Sequence, residues 1–558
     1  MMTRDSEALP VSGYLERLLF PRSRVRGFLA IIVISAVFSL LLTGTQIFRA
    51  NWGLIDDHQI FTFLGPDLKL PANEIWSTLL SKTEVGQLQG RFRPSYYLIT
   101  LTETWLFGPD VHLWYIRNSV VFALFLSALW WTMSRHVVAW LGGAITAWIA
   151  LLPLWAGIWS RLGPSEIYGA AFVGIMLFAA DAILFSDSPS ARRLGAVVLT
   201  LAALGLAGLK ETFLPLAAGG AGFVLVLAGI QRRLSRWLIA VLAIVILIGA
   251  ATIALVVAKE MGGSGVDFYE KPVGLATTMV HAIIGVFDAL LRTWWVWVLP
   301  IVFLQLLNVL PKKPWIDWIS ESRLAFAGYA LLVLMYAAQC GLYRISFPHN
   351  SRYDFPAMLL VPLTCCIAVC EVSRRLRGRF PDRVIDYAQL TAAIFLIFGL
   401  VNANLGRPPD LAQAVKRNIE TTNAFFSELQ GAVRAARESP DRPVILDAYG
   451  PMAYEGIYSL RSYLRAFGVQ NPIALRFHPN DKLTGALFAS LQRQMSDLAT
   501  KGDAVLIPLD SALQSRQCVS VGLYGPPDST CMAYQINGNE SVTTGPPEQR
   551  FAGNSSAK

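Results

Sequence analysis

Long apolar stretches recur along the chain, separated by short polar connections rich in arginine. A helix needs roughly 20 apolar residues to cross a bilayer core of about 30 Å. Eleven stretches read as spans: Gly27 to Phe48, Leu113 to Met133, Val137 to Trp159, Ile167 to Phe185, Leu194 to Leu209, Thr212 to Ile230, Trp237 to Ala258, Leu290 to Leu310, Leu324 to Leu342, Phe355 to Cys370 and Tyr387 to Val401. The segment Val273 to Leu290 reads either as a surface helix or as part of a further span. The first stretch is longer than the apolar region of a signal peptide and lacks a small-residue cleavage site, so it is expected to stay as a span. The predicted fold class is a polytopic α-helical membrane protein of about eleven transmembrane helices.

Composition agrees. Of 558 residues, 54% are hydrophobic and only 15% charged. A soluble domain carries about 25% charged residues. A cytosolic enzyme, a disordered chain and a fibrous one are all excluded. The net charge of +9 acquires meaning only by location. Arg4, Arg17, Arg22, Arg24 and Arg26 precede the first span, which predicts a cytoplasmic N-terminal tail over residues 1–26. Alternation then places Arg135, Arg192, Arg193, Arg232, Arg233, Arg236, Lys312, Lys313, Arg323, Arg374, Arg375, Arg377, Arg379 and Arg383 inside. The outer loops hold fewer: Arg161, Lys210, Lys259, Lys271, Arg344 and Arg352. That distribution follows the positive-inside rule and needs no nucleic acid to explain it. An odd number of spans puts the C-terminal tail outside.

Two polar regions face that side, the loop over 49–112 and the tail after the last span. In the tail, Asp410 to Arg437 reads as a helix. Pro443 to Asp447, Pro472 to Arg476 and Ala504 to Pro508 read as short buried strands. Helical stretches between them predict a small α/β domain over 404–536, followed by a polar, disordered end over 537–558. Cys340, Cys365, Cys366 and Cys370 fall in apolar helices, where thiols behave as small hydrophobes. Cys518 and Cys531 are the only two in the polar tail, and an oxidising compartment is expected to pair them. The chain has no internal repeat, P-loop, dinucleotide fingerprint or nucleophile elbow.

Charged side chains beside a membrane core are costly, so they are the first candidates for function. Four constellations gather on the outer side. The first is Asp56-Asp57-His58, just past the first span, where a carboxylate suits a general base or a cation ligand. Adjacent carboxylates point different ways, so one can work while the other anchors the loop. The second runs from Gly90 through Arg91 and Arg93 to Tyr97, with His112 and Asn118 downstream. Guanidinium forks bind phosphate oxygens, though arginine and tyrosine also anchor at headgroups. The third joins Arg161, Glu166 and Tyr168 to the Lys210-Glu211 dipeptide, a phosphate contact or a structural ion pair. The fourth holds Arg352 and Tyr353, an anion clamp with a phenol or an ordinary polar loop. Taken together, a base and several cations on one membrane face describe a site for an anionic, membrane-borne substrate. A sugar carried on a lipid phosphate fits: the phosphate needs cations and the tail needs a groove between helices.

These residues resemble the polytopic C-type glycosyltransferases (GT-C), especially the protein O-mannosyltransferase-like branch and its bacterial relatives. The likeness rests on Asp56-Asp57-His58, Arg93-Pro94 with His112 and Asn118, Lys210-Glu211 and Arg352-Tyr353, and it covers roughly the first 400 residues. The chain has Asp-Asp where the mannosyltransferases carry Asp-Glu, and it lacks their central inserted domain, which weakens the case for a protein acceptor. The resemblance implies inverting transfer of one sugar from a polyprenyl-phosphate carrier to a glycan, lipid or protein hydroxyl. Asp57 or Asp56 would be the base. Arg352, Lys210 and Arg91 or Arg93 would hold the donor phosphate. Glu211, Glu166, Arg161, Tyr353 and His58 would support them. No cofactor is required; a divalent metal at the carboxylates is compatible with the spacing but not demanded by it. Two other classes use the same features: a transporter or flippase of lipid-linked glycan, and a non-catalytic protein of envelope polysaccharide assembly. The absence of a repeat and the clustering of charge at one face favour the enzyme.

Overall fold

The computed structural model describes residues 24–54, 56–65, 67–83, 85, 93–262, 275–307, 322–343, 352–406, 408–438, 440, 444–449, 453–471, 473–478, 505–506 and 532–537. Ten helices among them are long and apolar enough to cross a membrane, and a bent pair makes an eleventh. The chain is a multi-pass helical membrane protein. In order, the long helices are α1 (Arg24–Arg49), then α5 (Val111–Met133), α8 (Ser165–Phe185), α9 (Pro189–Ala207), α10 (Leu214–Ile230), α11 (Arg236–Gly262), α12 (Leu275–Leu306), α13 (Arg323–Tyr343), α14 (Leu360–Arg377) and α15 (Asp382–Asn404). Among the described residues, the connection between α1 and α5 carries three shorter α-helices, α2 (His58–Leu64), α3 (Ile75–Lys82) and α4 (Pro94–Phe107).

The stretch expected as one span over 137–159 is broken. It consists of α6 (Ala139–Ala150) and a second piece over Pro153–Trp159, bent by 57°. The second piece ends in α7 (Ala156–Trp159). Proline explains the break: Pro153 has no N–H to donate, and Leu152 before it is pushed to an extended backbone, with ψ 143°. The undecided segment before Leu290 is, from Leu275 on, continuous with the helix that follows it. It continues into α12 as one helix of 32 residues, about 48 Å long and so longer than a bilayer core is thick.

Small and polar residues let the helices approach. Ser39 on α1 donates to the Ser119 carbonyl of α5 at 2.8 Å, and Thr43 lies 2.9 Å from the Ser119 hydroxyl. α8 carries charge near both ends. Glu166 stands in its first turn, and Asp181 near the other end accepts from Nε and Nη2 of Arg135, each at 2.8 Å. Between these ends the helices bury one another. Outward faces stay apolar, as at Leu41 of α1, Leu247 of α11, Leu291 of α12 and Phe395 of α15.

After the last span, α16 (Asp410–Glu438) packs along α1 and against α7, and α17 (Ala453–Ala466) packs on α2. Their buried faces join the same hydrophobic cluster as the first outer loop: Phe425, Leu429, Tyr463 and Leu464 share it with Trp52, Phe61, Trp114 and Tyr115. After α16 the described residues hold four strands, β1 (Val444–Tyr449), which precedes α17, then β2 (Ile473–His478), β3 (Val505–Leu506) and β4 (Met532–Asn537). They form one parallel sheet in the order β3-β2-β1-β4, with Val444 opposite Ile473 on one side and Met532 on the other. Most of the chain between β2 and β4 lies outside the described residues, as do Cys518, Cys531 and the 538–558 end, so the α/β domain expected over 404–536 is described only in part and the expected disulfide lies outside the described residues.

Candidate functional site

The site is built where α1 leaves the bundle. Asp56 takes the left-handed backbone, φ 73°, which aspartate tolerates better than most residues. Two neighbours hold it there. Arg352, in a turn of 3-10 helix before α14, donates through Nη1 to Asp56 Oδ2 at 2.6 Å. Gly163, after α7, lies so close that a Cβ on it would stand 2.2 Å from Asp56 Cβ. Only glycine fits that contact. The next residue turns the other way. Asp57 is 3% exposed, and its Oδ2 accepts from the Gly53 N–H at 2.7 Å, closing the loop on itself. The two carboxylates do point different ways: Asp56 is part-exposed beside a cation, and Asp57 is buried against the loop.

Arg352 also donates from Nη2 to the Tyr353 hydroxyl at 3.2 Å. Two cations lie against the Tyr353 ring, with the Arg352 guanidinium 5.1 Å and the Lys210 ammonium 4.8 Å from its centroid. Ring faces attract cations in this way, most strongly where water is excluded. The carboxylate that pairs with Lys210 is Glu166, 44 residues earlier: Nζ to Oε1 is 2.7 Å and both side chains are 3% exposed. Lys210 is placed by the tight link between α9 and α10. There the Gly208 carbonyl accepts from the Ser95 and Tyr96 N–H groups, at 3.0 and 3.4 Å, fixing the start of α4. A Cβ on Gly208 would stand 2.2 Å from Ser95 Oγ and 3.1 Å from its Cβ, so a side chain here would push Ser95 aside.

A second shelf of polar residues carries the Gly163 segment. Tyr96 donates to the Gly163 carbonyl at 3.1 Å and Gln59 lies 3.3 Å from the same hydroxyl. Arg117 Nη2 donates to the Leu162 carbonyl at 3.3 Å, and Asn118 Nδ2 to that of Arg161 at 2.6 Å. Arg117 is itself held by Glu103, at 3.4 Å, and by the rings of Trp114 and Tyr168. Tyr168 donates to Glu103 at 2.5 Å. Glu103, Arg117 and Gln59 were not singled out from the sequence. The first two are charges in or next to apolar helices, and that signal alone could have found them.

The tail reaches the same loop. Tyr463 of α17 donates to the Gly53 carbonyl at 2.7 Å. Thr422 of α16 accepts from the Asn51 N–H at 3.1 Å, and Asn418 donates to the Tyr115 hydroxyl at 2.9 Å. So Gly53 is bonded on one side to Asp57 and on the other to the tail.

Electrostatics separate the two aspartates. Burial works to raise the Asp56 carboxyl, but the charge and hydrogen bond of Arg352, helped by Arg161 and His58, bring it below the ordinary value. Asp57 is pushed up to about 7, by burial first and by the Asp56 charge, against the Gly53 hydrogen bond. Burial pushes His58 down to about 4, so its ring is neutral at pH 7. The Asp57 shift makes a stability prediction. Unfolded, the group ionises near 3.8; folded, near 7. The native state holds the extra proton between those values, so stability falls as pH rises from about 4 to about 7 and levels off above. Thermal unfolding at pH 5 and pH 8 should show this loss in the wild type, and Asp57→Asn should remove it.

The other candidates are placed as follows. Arg161 presents its backbone carbonyl to Asn118 and its charge to Asp56. Glu211 is part-buried at the start of a 3-10 turn beside Lys210. Arg93 caps the start of α4. His112 is structural, with Nδ1 2.6 Å from the Ile47 carbonyl. Arg91 lies outside the described residues. Among the described residues no group of three or more His, Cys, Asp or Glu converges as a metal site. No protein-family model, curated protein or solved structure matches the chain.

Proposed function

We propose that the chain is a membrane glycosyltransferase that moves a sugar from a polyprenyl-phosphate carrier to a hydroxyl of an envelope glycan, lipid or protein, on the periplasmic face. The observation that carries this reading is the Asp56–Arg352 pair with a second cation, Lys210, against the same Tyr353 ring, at one end of an apolar helix bundle.

The chemistry follows from these groups. An acceptor hydroxyl attacks the anomeric carbon, and the bond from that carbon to the phosphate oxygen breaks. Asp56 takes the hydroxyl proton. It is the part-exposed carboxylate of the two, and its low proton affinity keeps it ionised at pH 7. A donor phosphate competes with Asp56 for the Arg352 guanidinium, so donor binding releases the carboxylate to act as base. Arg352 and Lys210 then stabilise the charge gathering on the leaving phosphate. Attack opposite the phosphate inverts the anomeric centre. Asp57 acts through the loop: it holds Gly53 and thereby the backbone that aims Asp56. Glu166 holds the Lys210 ammonium in place.

In this reading the tail over 404–536 is a periplasmic α/β unit over the outer end of the bundle, placed to meet the acceptor. The N-terminus is cytoplasmic and the membrane is a bacterial inner membrane. Deleting the gene and comparing envelope glycans by mass spectrometry tests the reading. Loss of a single sugar from one glycan is expected. Complete glycans stranded on the cytoplasmic side would make the protein a transporter instead.

A further inference from the structure

The bundle end away from Asp56 holds a second meeting of cations, which none of the chemistry above uses. α8 runs from the Glu166 turn to Phe185, so its far end lies roughly 30 Å from the candidate site. There the link from α8 to α9 meets the link from α10 to α11. Arg192 donates from Nη1 to the Ser186 carbonyl at 3.3 Å. Arg233 donates from its own Nη1 to the same oxygen at 3.2 Å. Two guanidinium groups thus converge on one neutral acceptor. Among the described residues neither has a carboxylate partner, and Arg192 Nε is buried without a hydrogen bond.

The surroundings deepen the imbalance. Arg192 and Arg193 stand in the first turns of α9, which has no acidic residue there, although a helix start favours negative charge. Arg232 and Arg233 close the end of α10 through their own N–H groups, on the Gly229 and Ala228 carbonyls, where positive charge is favoured. The misplaced pair of charges is therefore on α9, and Arg233 adds a third beside it. Across both links, Arg192, Arg193, Arg232, Arg233 and Arg236 face a single carboxylate, the exposed Asp187. Apolar side chains flank the cluster on the outward surface: Leu194, Ile230 and Trp237 are 66%, 69% and 75% exposed.

We propose that Arg192 and Arg233 form a headgroup site for the phosphate of an anionic phospholipid, in the leaflet opposite the candidate catalytic site. Two planar forks suit the oxygens of one phosphate, and the adjoining apolar surface suits acyl chains. The lipid phosphate supplies the negative charge that the helix start lacks. This inference stands apart from the glycosyltransferase reading and survives its failure.

The test uses full-length protein in neutral detergent, mixed with dioleoyl-phosphatidylglycerol, dioleoyl-phosphatidylcholine or inorganic phosphate. Native mass spectrometry counts retained lipid. Phosphatidylglycerol should be retained in preference to phosphatidylcholine, and R192Q/R233Q should lower its affinity at least about tenfold. R379Q, which removes an exposed arginine at the same end, should bind like wild type. Equal retention of both lipids, undiminished binding by R192Q/R233Q, or an equal loss in R379Q would overturn the site. Displacement of phosphatidylglycerol by inorganic phosphate at similar concentration would overturn the lipid assignment in favour of a free anion. Should the double variant fail to fold, R192Q alone decides: a drop of at least about threefold supports the site, and no drop refutes it.

Discussion

Asp56→Asn is expected to lower sugar transfer by about 10²–10⁴-fold, the usual contribution of a general base. Expression and folding should stay intact, because asparagine tolerates the left-handed backbone that Asp56 occupies and matches its shape. Alanine is a poorer test, since it adds backbone strain at the same position. Donor affinity should not fall with Asp56→Asn. The substitution removes the carboxylate that competes with phosphate for Arg352, so affinity should hold or rise. That split separates a catalytic base from a structural anchor. A binding assay with lipid-linked sugar and a turnover assay on the same preparation measure it. Loss of both together would place Asp56 in the architecture rather than the chemistry.

Lys210→Met should destabilise the fold strongly. It leaves the Glu166 carboxylate buried at 3% exposure without its cation. Breaking a buried pair from one side costs about 3–5 kcal/mol. Adding Glu166→Leu should recover much of that loss, because both charges then leave together. Transfer should not recover, since the cation beside Tyr353 is still missing. Thermal unfolding of the purified variants in detergent, with transfer measured in parallel, checks both halves. If the double variant regains activity along with stability, Lys210 is only a structural ion.

The membrane helices were legible because burial in lipid leaves little freedom of composition: a span must be apolar throughout its length. The exceptions have local causes. Pro153 breaks the third stretch, and α12 continues through Val280 and Ile283, which sequence alone left undecided. The candidate site was legible as a set of residues but not as a set of partners. Asp56 and Arg352 are 296 positions apart, and Lys210 lies beside Glu211 in sequence yet pairs with Glu166. Nothing in a local pattern encodes such contacts. Glu103 and Arg117 escaped notice for a different reason. Neither has another charged residue within four positions, so no charge pattern marks it, although a lone charge in an apolar helix is itself costly. The bonds from Thr422 and Tyr463 to the first outer loop were equally hidden. A tail that reads as a separate unit in sequence holds the loop that carries both aspartates.

The most direct test of the proposed chemistry is cleavage of the donor. Purified protein in proteoliposomes would be given a polyprenyl-phosphate carrying a labelled sugar, together with a membrane extract as acceptor source. The account predicts release of free polyprenyl phosphate in step with label appearing on the acceptor, in inverted anomeric configuration, and neither product with Asp56→Asn. Intact donor crossing the bilayer without release of polyprenyl phosphate, or release at the wild-type rate by Asp56→Asn, would contradict it.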